Sequence, residues 1–596
     1  GPSPSANGGG GGGGTSPSPT NVDPRVATGG TLGVPPTLGP GQIGPLNLPN
    51  RIVMPSMTTR SASADGEVTE ATIAYFRARA RGGVGLITVE MASPEAVGRH
   101  RHRELGIYHD RYLPGLQRLT AAIKAEGACA AIQLGHGGGH TRVDICGETP
   151  IAPSAVPHDV FEGTMETIVP EAMSLGRIEE TTAAFVTAAE RARAAGFDAV
   201  EIHAAHGYLI SQFLCPAENV RDDAYGGSLE NRARFGLDIL ACVKSAVPDL
   251  ALIYRLTVED FFANGMPFSD GIQVAEWAAD RGADAIHVTA GHYRSKPPSI
   301  MIPPMAMAEA TFLDFATQVK ARIVVPVIAV ARLGDPELAK AAISEGKANF
   351  VALGRPLLAD PDWPRKVRAG EPVRRCLACN SCVDSMRGGA PLSCIVNSAM
   401  GRESELEGVS RSSHNERIAV VGGGPAGLTY ASLVSEGNTV TVFERDSRLG
   451  GALRLAAKAP LFQEVEPVED AFDTYICSLV NICCANGVDF HLGADPFTET
   501  DMLDGFDRIV LATGARYRLA PVRLAMSLAR WPVLRQLFSR DDVRDWLYHR
   551  ARTATGESLQ RRLGKEVTVI GDAVAPGKTS AAVASAYSAA FSTRAS

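Results

Sequence analysis

Three groups of residues in this 596-residue chain have types and spacings that could do chemistry. The first is His203-Ala204-Ala205-His206-Gly207-Tyr208. Two imidazoles turned toward one pocket can donate hydrogen bonds to a substrate carbonyl or carboxyl oxygen, and a phenol beside them can supply a proton. Metal ligation is a competing use, since neutral imidazole is a common ligand, but no third histidine or carboxylate is conspicuous beside the pair. A purely structural histidine is the other alternative. The second group is Cys376, Cys379, Cys382 and Cys394, spaced C-x2-C-x2-C-x11-C. Four close thiolates can bind zinc or a 4Fe–4S cluster, and spacing alone leaves both open. The third is Gly422, Gly424 and Gly427 in IAVVGGGPAGL, a G-x-G-x-x-G between an apolar strand and a helix. Glu444, followed by Arg445, ends the next strand about 20 residues on, where a carboxylate would meet a ribose hydroxyl.

These groups need elements to position them. Eight short apolar runs follow Leu38: Ile52–Pro55, Gly85–Glu90, Cys129–Leu134, Asp198–His203, Leu250–Arg255, Asp284–Thr289, Val327–Val330 and Asn349–Leu353. Segments of helical period such as Glu179–Ala195 and Leu229–Val247 separate them. Near-continuous apolar strands with intervening helices predict a parallel sheet covered on both faces. Eight units, with polar residues repeatedly closing the strands, favour an α/β class (β/α)8 TIM barrel over an open doubly wound sheet. Chemistry in a barrel sits at the C-terminal strand ends. Those ends here carry Pro55, Met57 and Thr58, then Gln133, His203, Arg255, Arg332, Gly354 and Arg355. Two arginines and a glycine after the last two strands suit a phosphate, although surface ion pairing is the plainer use of Arg332 and Arg355.

Composition narrows the function classes. Lys plus Arg total 58 and Asp plus Glu 65, a net charge of −7, so no basic excess points to nucleic acid. Hydrophobic residues are 45% and charged residues 21%, as in a globular protein with real cores. No uncharged apolar run approaches the roughly 18 residues of a membrane helix. An odd total of 11 cysteines, with no signal peptide, leads us to expect a reducing, cytoplasmic location. Residues 1–37, rich in Gly, Ser and Pro, are expected to be a disordered tail. The expected order is then a barrel over 38–372, a cluster segment and linker over 373–412, and a Rossmann-like dinucleotide-binding module over 413–596.

Several stretches resemble the old yellow enzyme family of NADH:flavin oxidoreductases. They are Asn50–Pro55 (NRIVMP), Val200–Phe235 (VEIHAAHGYLISQFLCPAENVRDDAYGGSLENRARF), Pro326–Val330 (PVIAV) leading to Arg332, and Val351–Pro356 (VALGRP). The resemblance covers about 320 residues. It implies a flavin-dependent oxidoreductase whose Pro55, Met57, Thr58, Gln133, Arg255, Arg332, Gly354 and Arg355 line FMN. It also implies that His203 and His206 hold a substrate oxygen and that Tyr208 donates a proton. A cysteine cluster just after the barrel resembles the iron–sulfur subgroup, with its 2,4-dienoyl-CoA reductases, enoate reductases and trimethylamine dehydrogenase, and so implies 4Fe–4S. Val510–Ala515 (VLATGA) and Val567–Ala573 (VTVIGDA) resemble FAD-binding proteins of the disulfide-reductase type. This implies FAD, with ADP or an empty module as alternatives, and Asp572 near the ribityl chain.

The chain also departs from the pattern. Only Arg516–Glu566, with Trp531 and Trp546, separates those last two elements, where relatives insert a second nucleotide domain. The module is thus expected to be shortened and to lack the usual NAD(P)H domain. Met57 replaces the flavin-linking cysteine of the amine dehydrogenase, Gly139 an arginine, and Ala331 a frequent glycine. The expected reaction is hydride transfer from FMN N5 to an activated C=C bond of a 2-enoate or dienoyl-CoA-like small molecule. The alternative is N-methyl amine dehydrogenation with electrons leaving through the cluster. NAD(P)H or an electron-transfer protein would be the redox partner, and the resemblance implies a homo-oligomer.

Overall fold

The computed structural model describes residues 38–411, 414–458, 465, 468–518, 536 and 540–591. The expected tail and Trp531 lie outside these described residues. The eight apolar runs form strands β1 Ile52–Met54, β2 Leu86–Ala92, β3 Cys129–Leu134, β4 Ala199–Ala204, β5 Ala251–Thr257, β6 Ala285–Thr289, β7 Val327–Ala329 and β8 Phe350–Ala352. All pairs are parallel, β8 returns to β1, and the sheet closes into a barrel. Strands such as β4 are buried at every position, because barrel interior and helical shell each cover one face.

The covering helices follow from local rules. In Leu175–Ala194, Ser174 Oγ accepts from Arg177 N at the start, and Ile178, Thr181, Phe185, Ala188, Ala189 and Ala192 fall on one buried stripe. A hairpin, Gly41–Ile43 with Leu46–Leu48, enters the chain just before β1. Its Ile43 and Leu48 pack with barrel-interior residues including Val53, Leu86, Ala131, Ile253, Ile328 and Phe350. That apolar plug occupies the interior, and the polar residues collect at the other end of the strands.

From Arg417 a second sheet begins. Strands β9 Arg417–Val421, β10 Thr439–Glu444, β11 Asp489–Leu492, β12 Arg508–Leu511 and β13 Thr568–Val569 run parallel in the order β11-β10-β9-β12-β13. Between β12 and β13 the described residues include an antiparallel pair, Ala515–Tyr517 with Arg552–Ala554, and the helix Gly556–Leu563. The cysteine segment is wedged between the two sheets' helices. Leu377, Cys379, Ile395 and Val396 share one core with Leu428, Tyr475 and Leu479. Arg374 Nη1 donates to Tyr587 Oη (2.8 Å), which donates to Asn397 Oδ1 (2.9 Å). No described helix is long and apolar enough to cross a membrane.

Two places in the barrel depart from plain geometry. Strand β2 carries a register shift at Glu90, whose carboxylate accepts from Thr59 N and Thr59 Oγ1, both at 2.9 Å. Burial nevertheless raises its pKa to about 7. The folded state then keeps a proton that the unfolded chain loses above about pH 4.5, so this group's contribution to stability declines from there to about pH 7 and is flat beyond. Replacing it by Gln should remove that slope. In urea titrations, the stability of the wild type relative to Glu90→Gln should fall by roughly 3 kcal/mol over this window. After β7, Ala331 (φ 85°) and Arg332 (φ 55°) both occupy the left-handed region. Such a conformation costs an alanine more than a glycine. Ala331→Gly should therefore raise the unfolding free energy by about 0.5–1 kcal/mol, read from the urea midpoint.

Candidate active site

One cavity of about 700 Å³ opens at the C-terminal end of the barrel strands. Its walls include Pro55, Met57, Thr58, Gln133, Arg255, Arg332, Gly354 and Arg355, together with His203, His206 and Tyr208. Cys376 and Cys382 also reach it. Every barrel residue expected to contact FMN or substrate thus lies on one surface. They converge because each stands at or just past a strand's C-terminal end.

The floor is polar and buried. Gln133 Nε2 donates to Glu201 Oε1 (2.6 Å), and Glu201 Oε2 pairs with His287 Nδ1 (2.7 Å). Burial works against Glu201's charge, but His287 and Arg255 more than offset it and hold its pKa below the ordinary value. Arg255 Nε is buried with no hydrogen-bond partner among the described residues. Burial lowers the pKa of Arg332, and neighbouring Arg355 lowers it further. A cavity that gathers guanidiniums in this way fits an anionic, hydrogen-bonding group such as a flavin mononucleotide.

The catalytic candidates cluster on the β4 exit. His203 and His206 rings lie 5.3 Å apart at 80°. His206 has φ 65°; its backbone N donates to Thr257 Oγ1 (2.9 Å) and its Nε2 meets Thr289 Oγ1 (3.1 Å). His203 Nδ1 is buried with no hydrogen-bond partner among the described residues. Burial, then the nearby Arg255 and neighbouring imidazoles, pushes both pKa values well below the ordinary histidine value, so both rings are neutral. Tyr208 Oη shares a 2.7 Å hydrogen bond with Tyr293 Oη, and Arg101 Nη2 donates to Tyr293 Oη at 3.3 Å. Burial raises the Tyr208 pKa well above 10, which keeps the phenol protonated.

Sequence reasoning missed several wall residues. His100 lines the cavity, packs edge-on to Tyr208 at 5.1 Å, and is fixed by Glu104 Oε2 (2.6 Å from Nδ1). Thr289 and the role of Tyr293 were also hidden, as was Glu201 beneath the wall, because their partners come from other strands. The only local signal was Glu201 two residues before His203, on the same face of β4. A Cβ on Gly139 would lie 2.4 Å from the His158 ring, which fills that space.

His292 is a neighbour of the site without lining it. Cys215, Glu218 and His292 bring their ligand atoms within 4.8 Å of one another. Arg294 N donates to His292 Nδ1 (3.1 Å), so Nε2 carries its proton and faces Glu218 Oε2 (3.1 Å). Arg294 Nε approaches Glu218 Oε1 at 2.9 Å. Burial disfavours a charged His292, but Glu218 outweighs it, and the pKa is raised. Glu218, held by His292 and ion-paired with Arg294, fixes the His292 ring that packs behind Gly207.

The four cysteines line a second, smaller cavity with Arg355, Leu358 and Asn380. No three of their sulfurs lie within 4.8 Å of one another, since the only such group among the described residues is the trio above. A tetrahedral zinc would draw them to about 3.8 Å, given Zn–S bonds near 2.3 Å. Burial raises the pKa of Cys379, Cys382 and Cys394, the last to about 12. A bound metal would reverse that by taking the thiolates.

In the C-terminal unit the glycines have distinct jobs. Gly422 has φ 113°. A Cβ on Gly427 would lie 2.0 Å from Gly422 O, whereas one on Gly424 would meet only Gly451 Cα, at 3.9 Å. Tight turn, close packing and open approach are the three roles of a pyrophosphate-binding G-x-G-x-x-G. Glu444 accepts from Gly423 N (2.8 Å) and Asp446 N (2.9 Å), and Arg445 beside it is exposed. Asp572 is held by Arg552 Nη1 (2.5 Å) and Gly577 N (3.0 Å).

Residues 38–373 match the model of the NADH:flavin oxidoreductase / NADH oxidase family, and residues 420–462 match an NAD(P)-binding Rossmann-like domain. The chain is 36% identical over 483 residues to an NADH oxidase of Thermoanaerobacter brockii, covering 80% of this chain and 72% of that one. It is 32% identical over 505 residues to a cinnamate reductase of Clostridium sporogenes (80% and 74% covered). It is 31% identical over 497 residues to an N,N-dimethylglycine/sarcosine dehydrogenase of Chromohalobacter salexigens (81% and 70% covered). Barrel, cavity and matches together place the chain in the NADH:flavin oxidoreductase / NADH oxidase family, as a flavin-dependent oxidoreductase of the old yellow enzyme type with a Rossmann-like C-terminal unit.

Proposed function

We propose that the chain reduces an activated C=C bond, such as that of a 2-enoate or a dienoyl thioester. FMN would lie in the barrel cavity, with Pro55, Met57, Thr58 and Gln133 along the ring and Arg255, Arg332, Gly354 and Arg355 toward its polar groups. When bound, it supplies hydride chemistry at N5. The reading rests above all on the protonation state of the polar wall. Neutral His203 and His206 offer N–H groups that can hold and polarise a carbonyl oxygen without carrying a charge. Tyr208, kept protonated by burial, is an acid that can deliver a proton to the α-carbon. Tyr293, at 2.7 Å, is placed to share the negative charge left on Tyr208 oxygen.

The four cysteines, which line one small cavity just after the barrel, are read as ligands of a 4Fe–4S cluster. The Rossmann-like unit is read as an FAD or related dinucleotide site on Gly422, Gly424, Gly427, Glu444 and Asp572. NAD(P)H or an electron-transfer protein is then the redox partner.

Amine oxidation is less well served by this wall. It needs an open aromatic face for a cation. Tyr293, an aromatic residue of the cavity wall, is stacked by His140 at 3.6 Å and has the Arg387 guanidinium 5.8 Å over its ring.

Anaerobic stopped-flow on the FMN-loaded enzyme separates the two. Reduced enzyme should be reoxidised by cinnamate-type acids or enones, and amines should leave the oxidised flavin unbleached. Tyr208→Phe should slow reoxidation about 10²–10⁴-fold with flavin reduction unchanged. His203→Ala/His206→Ala should raise the substrate concentration needed and lower the rate. Normal enone turnover in both variants, or rapid bleaching by amines, would overturn the assignment.

A further inference from the structure

The loop after β6 contains a short strap that holds cofactor-facing groups together. Over four consecutive residues, Ile302 O accepts from Asn380 Nδ2 (2.9 Å), Pro303 O from Arg355 Nη2 (2.7 Å), and Pro304 O from Arg332 Nη1 (3.1 Å). Met305 N then donates to Ala378 O (2.8 Å). Both arginines of the expected phosphate end and the cysteine loop are thus fixed to one segment.

Asn380 lies inside the cysteine motif CLACNSC, between Cys379 and Cys382. It is buried and adopts φ 62°, a left-handed conformation that asparagine tolerates better than most residues. Its Oδ1 accepts from Arg355 Nη1 at 2.5 Å. With Nδ2 committed to Ile302 O, the amide has one orientation that satisfies both partners. Arg355 forms part of the wall of both cavities, the large one at the barrel mouth and the small one lined by the four cysteines. Among the described residues it is the one charged side chain common to the two walls. It therefore sits where a charge acts on both sites at short range, in surroundings from which much of the screening water is excluded.

We propose that Arg355, aimed by Asn380, is an electrostatic bridge that raises the reduction potential of the iron–sulfur site and so sets how it exchanges electrons with the flavin. The inference rests on reading the cysteines as a 4Fe–4S site and the barrel cavity as the FMN site. An electron exchanged with the flavin would leave the reduced cluster more negative by one charge, with the flavin as its redox partner and no proton moved. A fixed guanidinium stabilises the more negative state. Asn380 is a positioning residue here: it sets where that charge is held, while the cysteines bind the metal.

The test is an anaerobic redox titration of the holoenzyme followed by electron paramagnetic resonance, with iron, zinc and FMN measured in each sample. Wild type, Arg355→Gln, Arg355→Lys and Asn380→Leu are compared. Arg355→Gln should lower the cluster's midpoint potential most. Asn380→Leu, which keeps the charge but releases its hold, should lower it less, and Arg355→Lys should stay nearest wild type. A purely structural role would not order the potentials by charge. Iron-loaded Arg355→Gln and Asn380→Leu with wild-type potentials would overturn the bridge while leaving the cluster reading intact. Zinc in place of iron in the wild type, with no resonance signal, would overturn the cluster reading and the bridge with it.

Discussion

Guanidinium groups gathered at one end of a closed barrel are the constraint on which the site depends. Arg255, Arg332 and Arg355 all reach the cavity wall, and burial lowers the pKa of the first two. Arg255 has a buried carboxylate close behind it, Glu201, and that group is shared with Gln133 and His287. Buried cations are tolerable when an anion or strong acceptors satisfy them. The protein supplies backbone carbonyls of the Ile302–Met305 strap for two of the three. The remaining hydrogen-bonding capacity faces the cavity, which is why the site is matched to an anionic cofactor.

The same positive field shapes the chemistry next door. Arg255 contributes to keeping His203 and His206 neutral, after burial itself. Neutral imidazoles remain donors across the working pH range without drawing in a counter-ion. Tyr208 is protonated for a different reason, burial, which disfavours any phenolate. Behind it, Arg101 is bound to Tyr293 (3.3 Å) and to Glu162 (3.0 Å), a carboxylate it shares with Arg60. A donor-rich wall with a cation in reserve is suited to giving a proton away, and that is the direction in which a C=C reduction runs.

The joint between barrel and Rossmann-like unit gives the cysteine segment its place. Apolar residues from the barrel side, the cysteine loop and helices Pro425–Val434 and Glu469–Ala485 form one core. The cysteine loop is therefore packed on two sides, which holds its four side chains in position. Arg374 extends this contact to Tyr587 and, through it, to Asn397. These buried polar contacts between the two halves of the chain lie next to the cysteines.

Much of this was legible in the linear chain. The eight strands, the strand-end residues, the cysteine spacing and the glycine fingerprint are local patterns, fixed by the period-2 and period-3.6 geometry of the backbone and by spacings of a few residues. Barrel closure turned those strand ends into one surface, as expected. Pairings made through space were not legible. Tyr208 and Tyr293 are 85 positions apart, Glu201 and His287 are 86, and Arg355 and Asn380 are 25. His100 was hidden in a basic loop. Separation along the chain encodes which element carries a group. Only the closed barrel and the strap across its mouth decide which groups come within hydrogen-bond reach, because those distances depend on strand order, twist and loop path together.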